Sequence, residues 1–180
     1  MSGVSNVVLR RANVADASAI AAVRVESWRD TYRGIMPDSY LDAMRVDDST
    51  EIWLRVLSAP VSPATAVFVA EVDGRIVGFS AGMILEEEKF GFESELTGIY
   101  VIPDAQERGL GTRLVRLVAA GFSKLGANGM LVWVPSENKV ARQFYEKLGG
   151  EQLIEQAFTW DDLDLQEVGY GFRDLTTLAL

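Results

Sequence analysis

Apolar residues repeat along the chain with two different periods, and the period changes in the region of residue 60. In the first part the apolar residues, Ile20, Val23 and Trp28 among them, fall on one face of an amphipathic helix. We predict a capping box at the start of this helix, formed by Asn13 and Asp16, because a short polar side chain and an acid three positions later satisfy unpaired N–H groups.

A short strand at residues 7–9 is predicted before this helix, and two more helices after it. Pro37 suits the first turn of one that runs through Met44, because the fixed φ of proline fits a helix start. Residues 47–49 are suited to cap the next one. The apolar residues that we expect this third helix to turn inward are Ile52, Trp53, Val56 and Leu57.

From residue 67 onward the period becomes two, which is typical of strands: Val67, Val69 and Glu71 alternate with Phe68, Ala70 and Val72. Asp73-Gly74, between two alternating segments, is a strong signal for a two-residue hairpin turn. The strand predicted from Phe92 to Ile102 is different, because its apolar residues Leu96 and Ile99 are out of phase. One extra residue near Thr97-Gly98 would restore the phase, so we predict a β-bulge there.

The second half of the chain combines both periods. The elements predicted there are a helix over 110–125, a buried strand over 130–134, a helix over 138–148 closed by Gly149-Gly150, and strands near 151–160 and 165–173. A strand–helix–strand unit implies a parallel strand pair with a right-handed crossover, while the hairpins around it imply antiparallel neighbours. We therefore predict a mixed sheet in a single domain that covers residues 1–180.

Composition narrows the chemistry. The 180 residues include no cysteine and no histidine. The first absence excludes disulfides, thiolate metal sites and a cysteine-bound acyl intermediate, and the second removes the usual general base. Acid–base chemistry must therefore come from carboxylates, tyrosine, lysine or water.

The charge is distributed unevenly. The formal net charge is −9, which opposes binding to nucleic acid and to anionic lipid. Residues 108–147 nevertheless contain seven basic and two acidic residues, so this window is +5 and the rest of the chain −14. Such a basic segment indicates a local site for a polyanion, or else chance clustering on solvated helix faces.

Other classes of protein are not indicated. Met1 to Asn6 show no signal segment, and no apolar run approaches the ~20 residues that span a bilayer, so we expect a cytoplasmic protein without a membrane partner. The acidic clusters at 86–88 and 161–164 lack the spacing of a calcium loop. No metal is therefore expected.

One glycine-containing segment is a candidate phosphate site. Gln106-Glu107-Arg108-Gly109-Leu110-Gly111-Thr112 lies between a predicted strand and a predicted helix. Glycine lets the backbone approach a bound group closely, and the N–H groups of a first helical turn favour an anion such as a pyrophosphate. The segment matches neither the Walker A loop nor the dinucleotide fingerprint. Taken alone, it is equally consistent with an ordinary tight turn.

A second segment, from Asn138 to Gly150, changes this interpretation. Taken alone, its Phe144 and Tyr145 read as core aromatics. Together with the glycine segment and the preceding Glu95-Leu-Thr-Gly-Ile-Tyr-Val-Ile-Pro103, however, it resembles the GNAT superfamily of N-acetyltransferases. The resemblance extends from Leu9 to about Phe172, and Ser27-Trp-Arg-Asp-Thr-Tyr-Arg-Gly34 is similar to small bacterial-type members.

The resemblance implies an α+β fold with a largely antiparallel, twisted sheet of about seven strands, helices on both faces, and a parallel pair that parts at a bulge. It also implies acetyl-CoA as co-substrate. Its pantetheine arm would lie along β-strand residues 99–101, its pyrophosphate on the amides of residues 108–112, and its sulfur beside Tyr145. The residues expected to bind it are Ile99, Tyr100, Val101, Gln106, Glu107, Arg108, Gly109, Leu110, Gly111, Thr112, Asn138, Arg142 and Tyr145.

The same resemblance suggests direct attack of an amine on the thioester. Glu95 is the first choice for the base that takes the ammonium proton, through water, and Glu93 is the second. A strand N–H freed by the bulge would stabilise the oxyanion. Tyr145 is the expected general acid, because phenol and thiol have similar ordinary pKa values, about 10 and 8.5.

The acceptor is less well defined. Trp28 and Tyr32, one helical turn apart, are candidates for the wall of its pocket and are equally candidates for the core. Three functions stay open: a small-molecule amine acetyltransferase, an acetyltransferase for protein α-amino groups or lysines, and a non-catalytic acyl-CoA sensor. A homodimer is an open alternative to a monomer.

Overall fold

The computed structural model describes residues 6–180, so the expectation about a signal segment rests almost entirely on residues outside the described part. Its strands are β1 (Val7–Arg11), β2 (Thr65–Val72), β3 (Arg75–Lys89), β4 (Phe92–Val101), β5 (Met130–Pro135), β6 (Glu151–Trp160) and β7 (Leu163–Phe172). Its helices are α1 (Ala17–Thr31), α2 (Asp38–Ala43), α3 (Val46–Ser58), α4 (Leu110–Lys124), α5 (Lys139–Lys147) and α6 (Leu175–Leu178).

The strands form a seven-stranded sheet in the order β1-β2-β3-β4-β5-β7-β6. Neighbouring strands are antiparallel except β4 and β5, which are parallel and are joined through α4. The predicted mixed, largely antiparallel sheet is therefore confirmed. The parallel pair occupies the middle of the sheet. Its crossover through α4 returns the chain to the same end of the sheet, as parallel pairing requires.

Two local predictions in the first half are confirmed. The Oδ1 of Asn13 accepts a hydrogen bond from the N–H of Ala15 at 2.9 Å, and the Oδ2 of Asp16 accepts one from the N–H of Asn13 at 2.8 Å, so the capping box is present. Asp73 and Gly74 both have positive φ, at 52° and 82°, as a tight hairpin turn between β2 and β3 requires.

The β-bulge in β4 is also confirmed. Ala81 of β3 pairs with Gly98, but the next residue, Gly82, pairs with Leu96, so Thr97 is the extra residue. On the other side of β4 the parallel pairing with β5 runs only as far as Leu96 and Val132. The two strands therefore part at the position of the bulge.

The core lies on both sides of this parting. One apolar cluster joins α4 and α5 to β4, β5 and β7, and includes Phe122, Val132 and Tyr170. A second joins α1 and the start of α4 to β2 and β3, and includes Ile20 and Phe79. Helix α4 belongs to both clusters, so its position relative to the sheet is well determined.

The prediction for α3 is only partly correct. Trp53 and Leu57 pack against the second cluster, but Ile52 and Val56 are about half exposed, at 50% and 47%. The helix packs mainly against α1 and reaches the sheet through Trp53, whose ring centroid is 5.1 Å from that of Phe79 in β3, so a narrower stripe of its surface is covered. Its N-cap is Arg45, and residues 47 and 48 lie in the first turn and do not cap it.

Candidate active site

A cleft of about 670 Å³ opens where β4 and β5 part. Its walls come from the end of α1, from β4 beyond the bulge, from the loop before α4, from β5 and from α5. Every segment singled out for the predicted co-substrate site contributes to these walls. The cleft is therefore the structural counterpart of that prediction.

The loop before α4 presents unpaired backbone N–H groups to the cleft. Gly109 precedes the helix in a left-handed conformation, with φ 71°, and no side chain within the described residues caps this helix end. The first helical bond runs from the N–H of Arg113 to the carbonyl of Gly109 at 3.2 Å, so the N–H groups of residues 110–112 have no helical partner. A helix of 15 residues begins here, and its dipole favours an anion at this end.

The loop before α4 is held by a side-chain hydrogen bond at its first residue, Gln106. The Nε2 of Gln106 donates to the carbonyl of Val101 at 2.9 Å and so fixes the loop to the end of β4. Gln106, Glu107, Gly109 and the first helical residues line the cleft, whereas the side chain of Arg108 is exposed and lies outside its walls. The fit to a phosphate group therefore rests on backbone N–H groups and not on an arginine.

The backbone of β4 beyond the bulge has one free edge. Ile99, Tyr100 and Val101 pair with β3, but β5 has already diverged on the other side. Peptide groups that point toward β5 are consequently open to the cleft, which all three residues line, except that the carbonyl of Val101 accepts from Gln106. An extended ligand with amide groups would find an unpaired strand edge there.

Helix α5 supplies the opposite wall. Asn138 caps this helix, with its Oδ1 accepting from the N–H of Ala141 at 3.1 Å, so its amide NH₂ is the group left to face the cleft. Tyr145 is buried, 5% exposed, and lines the cleft. Burial raises the pKa of the Tyr145 hydroxyl well above its ordinary value, and the neighbouring Tyr100 raises it further.

This pKa shift bears on the expected role of Tyr145. A hydroxyl with a raised pKa stays protonated at neutral pH and donates hydrogen bonds well, which suits it to face a departing thiolate. Its role as general acid stays a prediction. The physical cause of the shift is desolvation, which no local sequence feature reports.

Arg142 lies away from the cleft. Its guanidinium donates to the Tyr170 hydroxyl at 3.1 Å, to the carbonyl of Ser136 at 3.2 Å and to Gln152 at 3.4 Å. These bonds tie α5 to β6 and β7, so the side chain has a structural role. We leave it out of the proposed binding residues.

The two candidate bases differ clearly. Glu93 accepts from the Nδ2 of Asn128 at 3.0 Å and from the N–H of Gly129 at 3.1 Å, and these bonds lower its pKa. Glu95 is 18% exposed at its side chain and lies 3.8 Å from Lys89. Burial raises the pKa of Glu95, although Lys89 opposes this shift.

The position of Glu95 is just outside the cleft walls, which begin at Leu96. In the sheet register Glu95 is opposite Leu131 of β5. Trp133 lies two positions after Leu131, so the side chains of Glu95 and Trp133 are on the same face of the sheet, and Trp133 lines the cleft. Glu95 as the base stays a prediction.

The acceptor wall contains residues that sequence analysis did not identify. Tyr32 lines the cleft, whereas Trp28 belongs to the apolar cluster beneath it, with its ring centroid 4.8 Å from that of Tyr32. Ser27, Asp30 and Thr31 also line the cleft. In the sequence, the one indication of this polar face is that Ser27 and Thr31 are four residues apart and so lie on the same side of the helix.

A second groove of about 830 Å³ adjoins the cleft and shares Pro135 with it. It runs between the segment after α1, at Gly34 and Ile35, and strands β6 and β7. Three carboxylates line it, Glu137, Glu155 and Asp164, and no basic residue does. It therefore has a negative potential that favours a cation.

Residues 6–180 show neither a metal cluster nor a membrane-spanning helix. Within residues 6–180 no cluster of three or more His, Cys, Asp or Glu side chains has the arrangement of a metal site. None of the helices in the described part is long and apolar enough to cross a membrane.

Comparison with known proteins identifies the family. The model of the acetyltransferase (GNAT) family matches residues 25–150, which include the parting strands and both walls of the cleft. The chain belongs to the GNAT family of acetyltransferases. The resemblance noted in the sequence is therefore confirmed, together with the predicted enzyme class and fold class.

Relatives of this GNAT protein cover most of its length. The uncharacterized N-acetyltransferase YuaI of Bacillus subtilis (strain 168) is 32% identical over 173 residues, 96% of each chain. A spermidine N(1)-acetyltransferase of Thermoplasma acidophilum is 25% identical over 146 residues, 80% of this chain and 88% of that protein.

A solved structure shares the fold. The PaiA N-acetyltransferase of Thermoplasma acidophilum, crystallised in complex with coenzyme A, superposes with a TM-score of 0.72. It covers 91% of this chain and 98% of its own, at 23% identity. At this identity the likeness establishes the architecture alone, and the chemistry depends on the residues of the cleft.

The left-handed residue before α4 gives a test of the phosphate site. We expect Gly109→Ala to weaken coenzyme A binding about tenfold, because a Cβ at positive φ costs about 1–2 kcal/mol and shifts the loop that aligns the free amides. Gly126→Ala is the matched control, since Gly126 also has positive φ, at 90°, with open space around it, near the other end of the same helix. Calorimetric titration should show the loss in Gly109→Ala alone, and an equal loss in both variants would contradict the assignment.

Proposed function

We propose that this protein transfers an acetyl group from acetyl-CoA directly to a primary amine of a small molecule. The observation that carries the proposal is the continuity of three features in one cleft. Free amides at the start of α4 lead into the unpaired edge of β4 at residues 99–101, and that edge leads to the buried Tyr145 hydroxyl. A pyrophosphate, an amide-containing arm and a thioester occur in this order in one molecule, acetyl-CoA.

The protein groups have distinct roles in this proposal. Residues 110–112 bind the pyrophosphate through their N–H groups, and the edge of β4 pairs with the pantetheine amides. The amide NH₂ of Asn138 reaches the arm from the other wall. The chain contains no cysteine, so attack by the amine on the thioester, without a cysteine-bound intermediate, is the simplest route.

The reaction balances with the groups present. The ammonium group of the acceptor first loses a proton to water ordered by Glu95. Its nitrogen then forms the C–N bond as the carbonyl electrons move to oxygen, and collapse of this intermediate breaks the C–S bond. The second proton lost by nitrogen balances the one gained by sulfur, and Tyr145 donates a hydrogen bond to the departing thiolate.

The acidic groove supports a cationic acceptor. It adjoins the cleft at Pro135, and its carboxylates Glu137, Glu155 and Asp164 attract an amine that carries further positive charge. One relative of this chain is named for spermidine, a small polyamine. Both observations favour a small cationic amine over a neutral one.

The proposed function is tested by thiol release from acetyl-CoA in the presence of an acceptor panel. The panel contains polyamines, aminoglycosides, simple alkylamines, and peptides with a free α-amino group or lysine. We expect release with the polycationic small molecules and little with alkylamines of single charge. Release with peptides alone would show a protein acetyltransferase, and coenzyme A binding without release by any acceptor would show a sensor; either result overturns the proposal.

The Tyr145 hydroxyl should affect turnover and not binding. Tyr145→Phe keeps the ring in the core, so we expect kcat to fall about a hundredfold with acetyl-CoA affinity unchanged. Tyr170→Phe is the control, because its ring centroid is 6.3 Å from that of Tyr145 but its hydroxyl bonds to Arg142 and Glu146. That variant should lose stability and keep its kcat; unchanged turnover in Tyr145→Phe would remove Tyr145 from the mechanism.

A base with a raised pKa should appear in the pH profile. Because burial raises the pKa of Glu95, kcat/KM should fall on the acid side at a pH above the ordinary glutamate value. Glu95→Gln should lower kcat/KM at neutral pH and abolish this acid limb. Glu93→Gln, which breaks bonds to Asn128 and Gly129, should leave the limb in place. A limb that persists in Glu95→Gln would assign it to another group.

A further inference from the structure

The end of α1 places a second phenol in the cleft. Tyr32 terminates this helix, and its ring packs in an apolar cluster with Trp28, Met36 and Leu41. The residue is only 7% exposed, yet it lines the cleft. The ring is therefore part of the core, while the hydroxyl interacts with Tyr100 and Asn138, which also line the cleft.

Three tyrosines from three elements meet there. Tyr32 comes from α1, Tyr100 from β4 beyond the bulge and Tyr145 from α5, and all three line the same cleft. Burial raises the pKa of each hydroxyl, and Tyr32 is affected further by the charges that Tyr100 and Tyr145 would carry. Each hydroxyl consequently stays a neutral O–H donor at neutral pH, in the wall of one cleft.

The wall that carries Tyr32 has a further unsatisfied polar group. Ser27, one helical turn and one residue before Tyr32, lines the cleft and is 2% exposed. Its Oγ has no hydrogen-bond partner within residues 6–180. A buried hydroxyl without a partner is unfavourable, so this wall is suited to a polar ligand group in the cleft.

Neutral O–H donors in the cleft can stabilise the negative charge that develops during thioester aminolysis. Negative charge develops on the carbonyl oxygen as the C–N bond forms and on sulfur as the C–S bond breaks. Donors that are already oriented stabilise such charge without reorganisation. One phenol, Tyr145, can face only one of these two atoms at a time.

We propose that Tyr32 is a further catalytic residue, whose hydroxyl donates a hydrogen bond to the negative charge that develops on the thioester during attack. This inference rests on the proposed function. Tyr32 is thus the counterpart of Tyr145 on the opposite wall of the cleft. Helix α1, in addition to closing the acceptor side, supplies part of the chemistry.

The test is the loss of one oxygen atom. Tyr32→Phe keeps the ring against Trp28, so the melting temperature and the affinity for coenzyme A should stay close to those of the wild type. We expect kcat to fall about a hundredfold. The double variant with Tyr145→Phe should lose less than the product of the two single losses, because residues that act on one transition state are not additive.

Tyr40→Phe is the matched control. Tyr40 packs against the same apolar cluster, but its hydroxyl accepts from the Nε1 of Trp160 at 2.8 Å and lies outside the cleft walls. Its kcat should equal that of the wild type. An unchanged kcat in Tyr32→Phe, or an equal loss in both variants, would overturn the role of Tyr32.

The same series separates this inference from the proposed function. If wild-type protein releases thiol and Tyr145→Phe is impaired while Tyr32→Phe is not, only the role of Tyr32 fails. If wild-type protein does not bind coenzyme A at all, the proposed function itself fails, and the comparison of tyrosine variants has no basis.

Discussion

The separation of β4 from β5 is the constraint on which the rest of the site depends. A continuous parallel ladder would pair every peptide group between these strands and leave no room for a ligand. The extra residue at Thr97 coincides with the end of the pairing at Leu96 and Val132, in the middle of the sheet. Unpaired backbone groups are unfavourable inside a protein, so this edge is suited to a ligand that can complete the hydrogen bonds.

Helix α4 makes the open edge useful, because it fixes a second set of unpaired groups at one end of it. Its apolar residues belong to both core clusters, so the helix cannot shift relative to the sheet without disturbing both. Its free N–H groups offer a local positive potential in a chain of net charge −9. The backbone geometry thus suits an anionic group, while the acidic groove on the other side suits a cation.

Burial of the tyrosines connects packing to chemistry. Tyr32, Tyr100 and Tyr145 are held by apolar neighbours on three separate elements, and their hydroxyls meet in the cleft. The low polarity that raises their pKa values also keeps them protonated, which makes them donors and not bases. The proposed base is therefore a carboxylate, and the raised pKa of Glu95 suits that task.

Sequence alone determined most features that depend on neighbours along the chain, although it misplaced the cap of α3, which is Arg45. The capping box at Asn13, the Asp73-Gly74 turn, the bulge at Thr97 and the glycine before α4 follow from local backbone preferences and from the phase of apolar residues. Tertiary structure alone decided the rest. It directed Arg142 to Tyr170 and left Ile52 exposed, brought Tyr32 opposite Tyr145, and raised the pKa of Tyr145. The reason is physical: burial, and contact between distant elements, arise only when the whole chain packs, whereas φ angles and hydrophobic period are properties of short segments.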